Sequence, residues 1–294
     1  MICIYLVIKK KKKKNIINEN IKRILIKRYT IKNLIQEIKK KRIDIVIYQL
    51  SNYSEINIFN TLRRINIIFI QHQSFFFWVY SNYTYFKYLY KTYQKSRFII
   101  SLIHLENDYI FKKWGINTIL MNNFITFDYN HSFPSNLVSK SIIMIGRADN
   151  IFKRFELGIQ AMEYIIKEIP ESQMQIISNL ANIFYLQNVI NNLILKNNIK
   201  FYDYTSNPEI YFQNTSLHIS TSISESFGLV LSETKIFGIP NIMIGLDYIS
   251  IKKGGIIIIY DDSAESIAKE IIKREKKWDI KQELVCKILK MKFY

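Results

Sequence analysis

Two glutamates eight residues apart, Glu225 and Glu233, lie in the stretch TSISESFGLVLSETKIFGIPN (221–241), around Phe227-Gly228-Leu229. Carboxylates accept hydrogen bonds from hydroxyl groups, so two of them separated by a helix start could grip a polyhydroxyl ligand at two points. The run LHISTS (217–222) reads as a strand, followed by a loop holding Ser224, Glu225, Ser226 and Phe227. A helix is expected to begin near Gly228, with Gly238 and Pro240 as its stop signal. The amino end of a helix presents unpaired N–H groups and a positive dipole, which suits a phosphate. Gly228 allows the ligand close to the backbone. On one continuous helix, a spacing of eight puts the two carboxylates roughly 12 Å apart and about 80° around the axis. Hydroxyls, then phosphates, then more hydroxyls describe a nucleotide-sugar.

A second constellation agrees with the first. IIMIGRADNIFKRFELGIQAMEYIIKEIP (142–170) leaves an apolar strand at Gly146 and places Arg147, Lys153 and Arg154 in the loop that follows. Cations at a strand end are suited to neutralising a diphosphate leaving group.

These residues need a frame that brings both loops to one place. From Ser141 onward, apolar strand-like runs alternate with helical patterns: SIIMIG (141–146), QMQIIS (173–178), IKFYDY (199–204), LHISTS, PNIMIG (240–245) and GGIIIIY (254–260). Phe155, Ile159, Met162, Ile166 and Ile169 repeat at helical spacing up to Pro170, and further helices are expected over roughly 180–196, near Pro208, and from Ser263 to Trp278. Such alternation implies a parallel sheet covered on both faces. The first half repeats the pattern with IDIVIYQ (43–49), NIIFIQH (66–72), RFIISL (97–102) and INTILMNN (116–123), and a polar stretch with Pro134 marks the boundary. The expected organisation is α/β: a basic low-complexity segment (1–42), a first Rossmann-like domain (43–134) and a second one (135–294), with ligand bound at the strand carboxyl ends in a cleft between them.

On these residues the chain resembles the family 4 retaining glycosyltransferases, which have the GT-B fold. Their Gly-Arg-x5-Lys loop corresponds to Gly146, Arg147 and Lys153, and their Glu-x7-Glu motif to Glu225 and Glu233, closed by Gly238-Ile239-Pro240. The resemblance runs from about Asp44 to Lys273. It implies that Arg147 and Lys153 bind the donor diphosphate, Glu225 lies at the donor sugar, and Glu233 holds the ribose. Backbone amides around Ser226, Phe227, Gly228 and Leu229 would hold sugar and phosphate. His72, at the end of a strand, resembles the family's histidine near the donor sugar. A polar residue closing a strand is the plainer reading of it. The implied reaction moves a sugar from a nucleotide-diphosphate sugar to a hydroxyl of a glycan, lipid or protein acceptor, with no metal or other cofactor. The family's first domain normally opens with a strand and a glycine-rich loop, whereas the first glycine here is Gly115. A truncated acceptor-side domain is therefore expected, and a remnant that only binds nucleotide-sugar stands as an alternative.

The rest of the sequence narrows the field. Of the formal charge of +18, a net +12 falls in residues 1–50. That concentration points either to peripheral contact with a membrane or polyanion, or to codon bias in a chain rich in Ile, Lys and Asn. A basic membrane-surface or nucleic-acid module built on residues 1–42 is a further alternative, ranked last because it leaves the second half unexplained, and no specific nucleic-acid partner is expected. MICIYLVI is too short to span a bilayer. Cys3 and Cys286 have no metal-ligand spacing and suggest a reducing compartment. A cytoplasmic protein, with the cytosolic membrane face as a surface it could rest on, is the expectation. The aromatic run SFFFWVYSNYTYFKYLYKTY (74–93) suits an acceptor pocket, a membrane interface or plain core packing. Asp261-Asp262 reads as a helix cap, with Asp262 or Ser263 in the capping position, and His104, His131 and His218 as structural or surface residues.

Overall fold

The computed structural model describes residues 4–5, 31–40, 45–49, 66–72, 74–76, 83–125, 134–148, 152–180, 183–193, 195–245 and 255–278. The chain divides into two compact units, Met1–Asn123 and Phe124–Tyr294. The division thus falls before the Pro134 boundary expected from sequence.

In the first unit five parallel strands lie side by side in chain order: β1 (Ile4–Tyr5), β2 (Ile45–Gln49), β3 (Asn66–Ile70), β4 (Phe98–Ser101) and β5 (Ile119–Leu120). The segment expected to stand outside the domain supplies two elements of it. Ile4 and Tyr5 pair with Val46 and Ile47, and helix α1 (Ile31–Lys40) buries Ile38. Basic composition had masked a short apolar strand and an apolar helix stripe. INTILMNN shrinks to a two-residue strand. Helices α2 (Tyr83–Lys95) and α3 (His104–Trp114) complete the described elements. Where described, the aromatic run contributes to the core: Phe75, Phe76 and Tyr93 are buried, Phe86, Tyr88 and Tyr90 are half-buried, and Phe75 meets Trp114 edge-on at 5.7 Å between ring centres. Its residues 77–82, like His131, Cys3 and Cys286, lie outside the described residues.

The second unit holds a six-stranded parallel sheet in the order β11-β10-β9-β6-β7-β8. Its strands are β6 (Ser141–Ile145), β7 (Gln173–Ile177), β8 (Ile199–Tyr202), β9 (Leu217–Ser220), β10 (Asn241–Ile244) and β11 (Ile256–Ile259). Alternate residues of β6 serve opposite faces, as the pleat requires. Ile142 and Met144 join a core with Ile159, Met162, Ile176 and Ile219, while Ile143 packs with Ile177, Phe212 and Phe237. Helices α4 (Phe155–Glu168), α5 (Phe184–Asn192), α6 (Glu209–Phe212), α7 (Leu229–Ile236) and α8 (Ala264–Trp278) follow the strands. Of these, α5 is shorter than its apolar pattern suggested. Ser263 caps α8, accepting the Ser266 N–H at 3.2 Å, as one of the two expected capping positions. Among the described residues no helix is long and apolar enough to cross a membrane.

Candidate functional site

The order of the second sheet decides where chemistry can gather. The chain runs outward from β6 through β7 to β8, then returns to lay β9 against the other side of β6. The loops leaving β6 and β9 therefore diverge in opposite directions from adjacent strand ends, which opens a crevice at a topological switch point. The Gly146–Arg154 loop leaves β6, and residues 221–228 leave β9.

Those two loops are joined. Thr221 Oγ1 donates to the Lys153 carbonyl at 2.6 Å, and the Ile223 N–H donates to the Phe152 carbonyl at 2.9 Å. With the backbones fixed, the Lys153 ammonium meets Glu225 Oε1 in an ion pair whose side chains are only 23% and 17% exposed. Two of the residues singled out by motif are thereby brought into contact. Arg147 projects from the same loop and is exposed, and the next residue, Ala148, donates its N–H to Ser178 Oγ at 2.9 Å, tying the loop to the end of β7.

Helix α7 starts at Leu229, so Glu225 sits in the loop and only Glu233 is helical. The separation expected for one continuous helix therefore does not apply. The chain enters α7 through Gly228, whose φ of 72° is a left-handed conformation that a Cβ would disfavour. Ser226 is half-buried, Phe227 and Gly228 are buried, and Leu229 is exposed. Gly238, also at φ 72°, closes the helix and lets the Ile239 N–H reach the Thr234 carbonyl at 3.1 Å.

Burial raises the Glu233 carboxyl above its ordinary value, and the charge of Glu209 adds to the effect. Glu209 opens the short α6, and its Oε2 is buried with no hydrogen-bond partner among the described residues. The sequence reading missed it, because nothing local marks a glutamate after Pro208 as facing another carboxylate. His72 follows β3 in the first unit and is half-buried, and burial lowers its imidazole, favouring the neutral form. Among the described residues, no three His, Cys, Asp or Glu side chains converge as a metal site.

The helix bearing Glu233 is also anchored from below. His218 Nδ1 lies 2.6 Å from Asn241 Oδ1, and the Thr234 hydroxyl lies 2.8 Å from the same oxygen. His218 is fully buried, and burial holds its imidazole down to about 4, outweighing the Asn241 contact. It is structural, as expected. Asn241→Ala would strand both partners. A loss of about 2 kcal/mol in urea denaturation is expected, and an unchanged midpoint would show that the network does not brace α7.

Residues 129–287, more than half of the chain, match the family of glycosyl transferases group 1. The poly(glycerol-phosphate) alpha-glucosyltransferase of Bacillus subtilis (strain 168) is 34% identical over 91 residues, which are 31% of this chain and 14% of that protein. Among solved structures, a mutant of S. aureus TarM in complex with fondaparinux, alpha-GlcNAc-glycerol and UDP is 19% identical with a TM-score of 0.65, over 88% of this chain and 57% of that one. Anabaena HepE in complex with UDP and glucose is 14% identical with a TM-score of 0.65, over 85% of this chain and 72% of that one. The chain spans 14% of the length of its curated relative and little more than half of TarM. At such identities the structural likenesses speak to fold, and they agree with the α/β, GT-B architecture of two parallel-stranded sheets. The match to residues 129–287 carries the assignment further: this chain belongs to the glycosyl transferases group 1 family.

Proposed function

We propose that the chain transfers a sugar, with retention of anomeric configuration, from a nucleotide-diphosphate sugar to a hydroxyl of a glycan, lipid or protein acceptor. The observation that carries this reading is the half-buried Lys153–Glu225 pair at the switch point, beside the entry to α7. A cation held by a carboxylate is poised for exchange: the diphosphate takes Lys153, and donor-sugar hydroxyls take Glu225. As the bond from the sugar to the diphosphate breaks, negative charge grows on the phosphate. Lys153 and Arg147 stabilise it, together with N–H groups around Ser226 to Leu229, so the reading needs no metal. The acceptor oxygen attacks from the face the phosphate leaves, and that phosphate takes the acceptor proton. Glu233 accepts from the ribose hydroxyls.

The test is thermal stabilisation by a panel of nucleotide-sugars, UDP-glucose and UDP-N-acetylglucosamine first, with released nucleotide assayed alongside. The solved TarM and HepE complexes named above contain UDP, which sets that order. A stabilising donor that is also consumed supports the proposal. Stabilisation without hydrolysis or transfer makes the chain a binder only. Absence of any shift in folded protein removes the donor assignment. Glu233→Ala is expected to weaken nucleotide binding about 10- to 100-fold, the scale of a lost hydrogen bond to a charged group. Wild-type affinity in that variant would take Glu233 off the ribose.

A further inference from the structure

Arg154 stands in the cationic loop beside Lys153, yet its guanidinium is already engaged away from that residue's partner. Nε donates to the Thr221 carbonyl at 3.0 Å, and Nη1 pairs with Asp262 Oδ2 in the turn that precedes α8, 108 positions along the chain. One side chain thus links three segments: the loop after β6, the loop after β9 and the turn between β11 and α8. Its backbone is in the left-handed region, at φ 45° and ψ 48°, which is uphill for a residue with a Cβ. Such a conformation persists only where the surroundings enforce it. The contacts available to enforce it are those of the Arg154 guanidinium, joined by those of Lys153, whose carbonyl accepts from Thr221 Oγ1 and whose ammonium pairs with Glu225.

We propose that Arg154 is a positioning residue rather than a phosphate ligand. Its guanidinium, held by Thr221 and Asp262, locks the left-handed turn and thereby sets the direction in which Lys153 leaves the backbone. This rests on the donor reading of Lys153 and extends it by two residues, Arg154 and Asp262. The chemistry supports a geometric role over a simple energetic one. The Asp262 side chain is 52% exposed, and so open a pair contributes little to global stability. A planar guanidinium satisfied in two directions is nonetheless a good device for fixing a turn.

The two readings of Arg154 differ in the sign of one measurement. Arg154→Gly keeps the left-handed backbone permitted and removes only the side chain, while Asp262→Asn removes the charge of its partner. If Arg154 positions Lys153, each single substitution weakens UDP binding about five- to tenfold by titration calorimetry. The double variant is then no weaker than the worse single, and unfolding temperatures barely move. If Arg154 binds phosphate directly, Asp262→Asn frees it and UDP binding strengthens or stays unchanged, which overturns the proposal. So does wild-type affinity in both single variants. Failure of the wild type to bind UDP would count against the donor reading and leaves the positioning claim to ligand-free amide exchange. Faster exchange at Ile223 in both singles, with no further gain in the double, would support the lock. Unchanged exchange would overturn it.

Discussion

Lys153→Ala is expected to leave the second unit folded while lowering sugar transfer by about 10²- to 10³-fold, the scale on which losing one preorganised charge-stabilising group shows itself. The magnitude follows from where the ammonium is held. Lys153 is mostly shielded from water and its partner Glu225 more so, so the charge acts in a medium less screening than bulk solvent. The substitution also removes the cation from a mostly buried carboxylate, at a stability cost on the order of 1–2 kcal/mol after allowing for residual exposure. The two effects separate in Lys153→Ala/Glu225→Gln. That double variant should recover the melting temperature without recovering the rate, because neutralising Glu225 repairs the orphaned charge but supplies no phosphate cation. Transfer within tenfold of wild type in Lys153→Ala would show that this residue does not meet the leaving group.

The second large effect lies in the first unit and concerns stability. Glu106 sits in the first turn of α3 with 2% of its surface exposed. Burial pushes its carboxyl up to about 8, in spite of hydrogen bonds from Ser101 Oγ at 3.0 Å and the Leu102 backbone. In the unfolded chain the group titrates near 4.5. Between those two values the folded chain keeps a proton that the unfolded chain has released. Unfolding therefore releases a proton, and stability falls as pH rises through this window. Above about 8 both states are ionised and the decline levels off. Glu106→Gln keeps the shape and removes the titration. It should match wild type near pH 4 and exceed it at pH 8 by something on the order of 2–4 kcal/mol. Urea denaturation at both pH values, followed by fluorescence, measures the difference, and a parallel pH profile in the variant would remove Glu106 as its source.

Much of the second unit can be read from its sequence, because its strand runs are short, mostly apolar and set off by turn signals. Gly146, Gly228 and Gly238 stand where the backbone turns at the edges of the motif elements. The two motifs, Gly146-Arg147…Lys153 and Glu225…Glu233, lie on the elements assigned to them. What stayed hidden depends on sheet order. Lys153 and Glu225 are 72 positions apart and Arg154 and Asp262 are 108 apart, and neither pairing has a local signature. Glu209 and Asn241 are similar cases: Glu209 acts on the distant Glu233, and Asn241 meets His218 on the neighbouring strand. The start of α7 near Gly228 is legible, yet a period of 3.6 extrapolated back to Glu225 crosses the left-handed glycine at which the helix begins.

The placement of β9 against β6 has a kinetic consequence. Some 75 residues separate Ile142 from its partner Leu217, against 32 between Ser141 and its partner Gln173 on the other side. The seam that carries Lys153 and Glu225 is thus the least local in its sheet, and loop closure makes such seams late to form. During synthesis β6, β7 and β8 emerge together and leave one edge of β6, with Ile142 and Ile143 beside it, open until residue 217 has followed. An open apolar edge recruits other chains. Translation pauses or truncations before β9 should therefore yield aggregate, and full-length chains should acquire ligand affinity only in their last folding step.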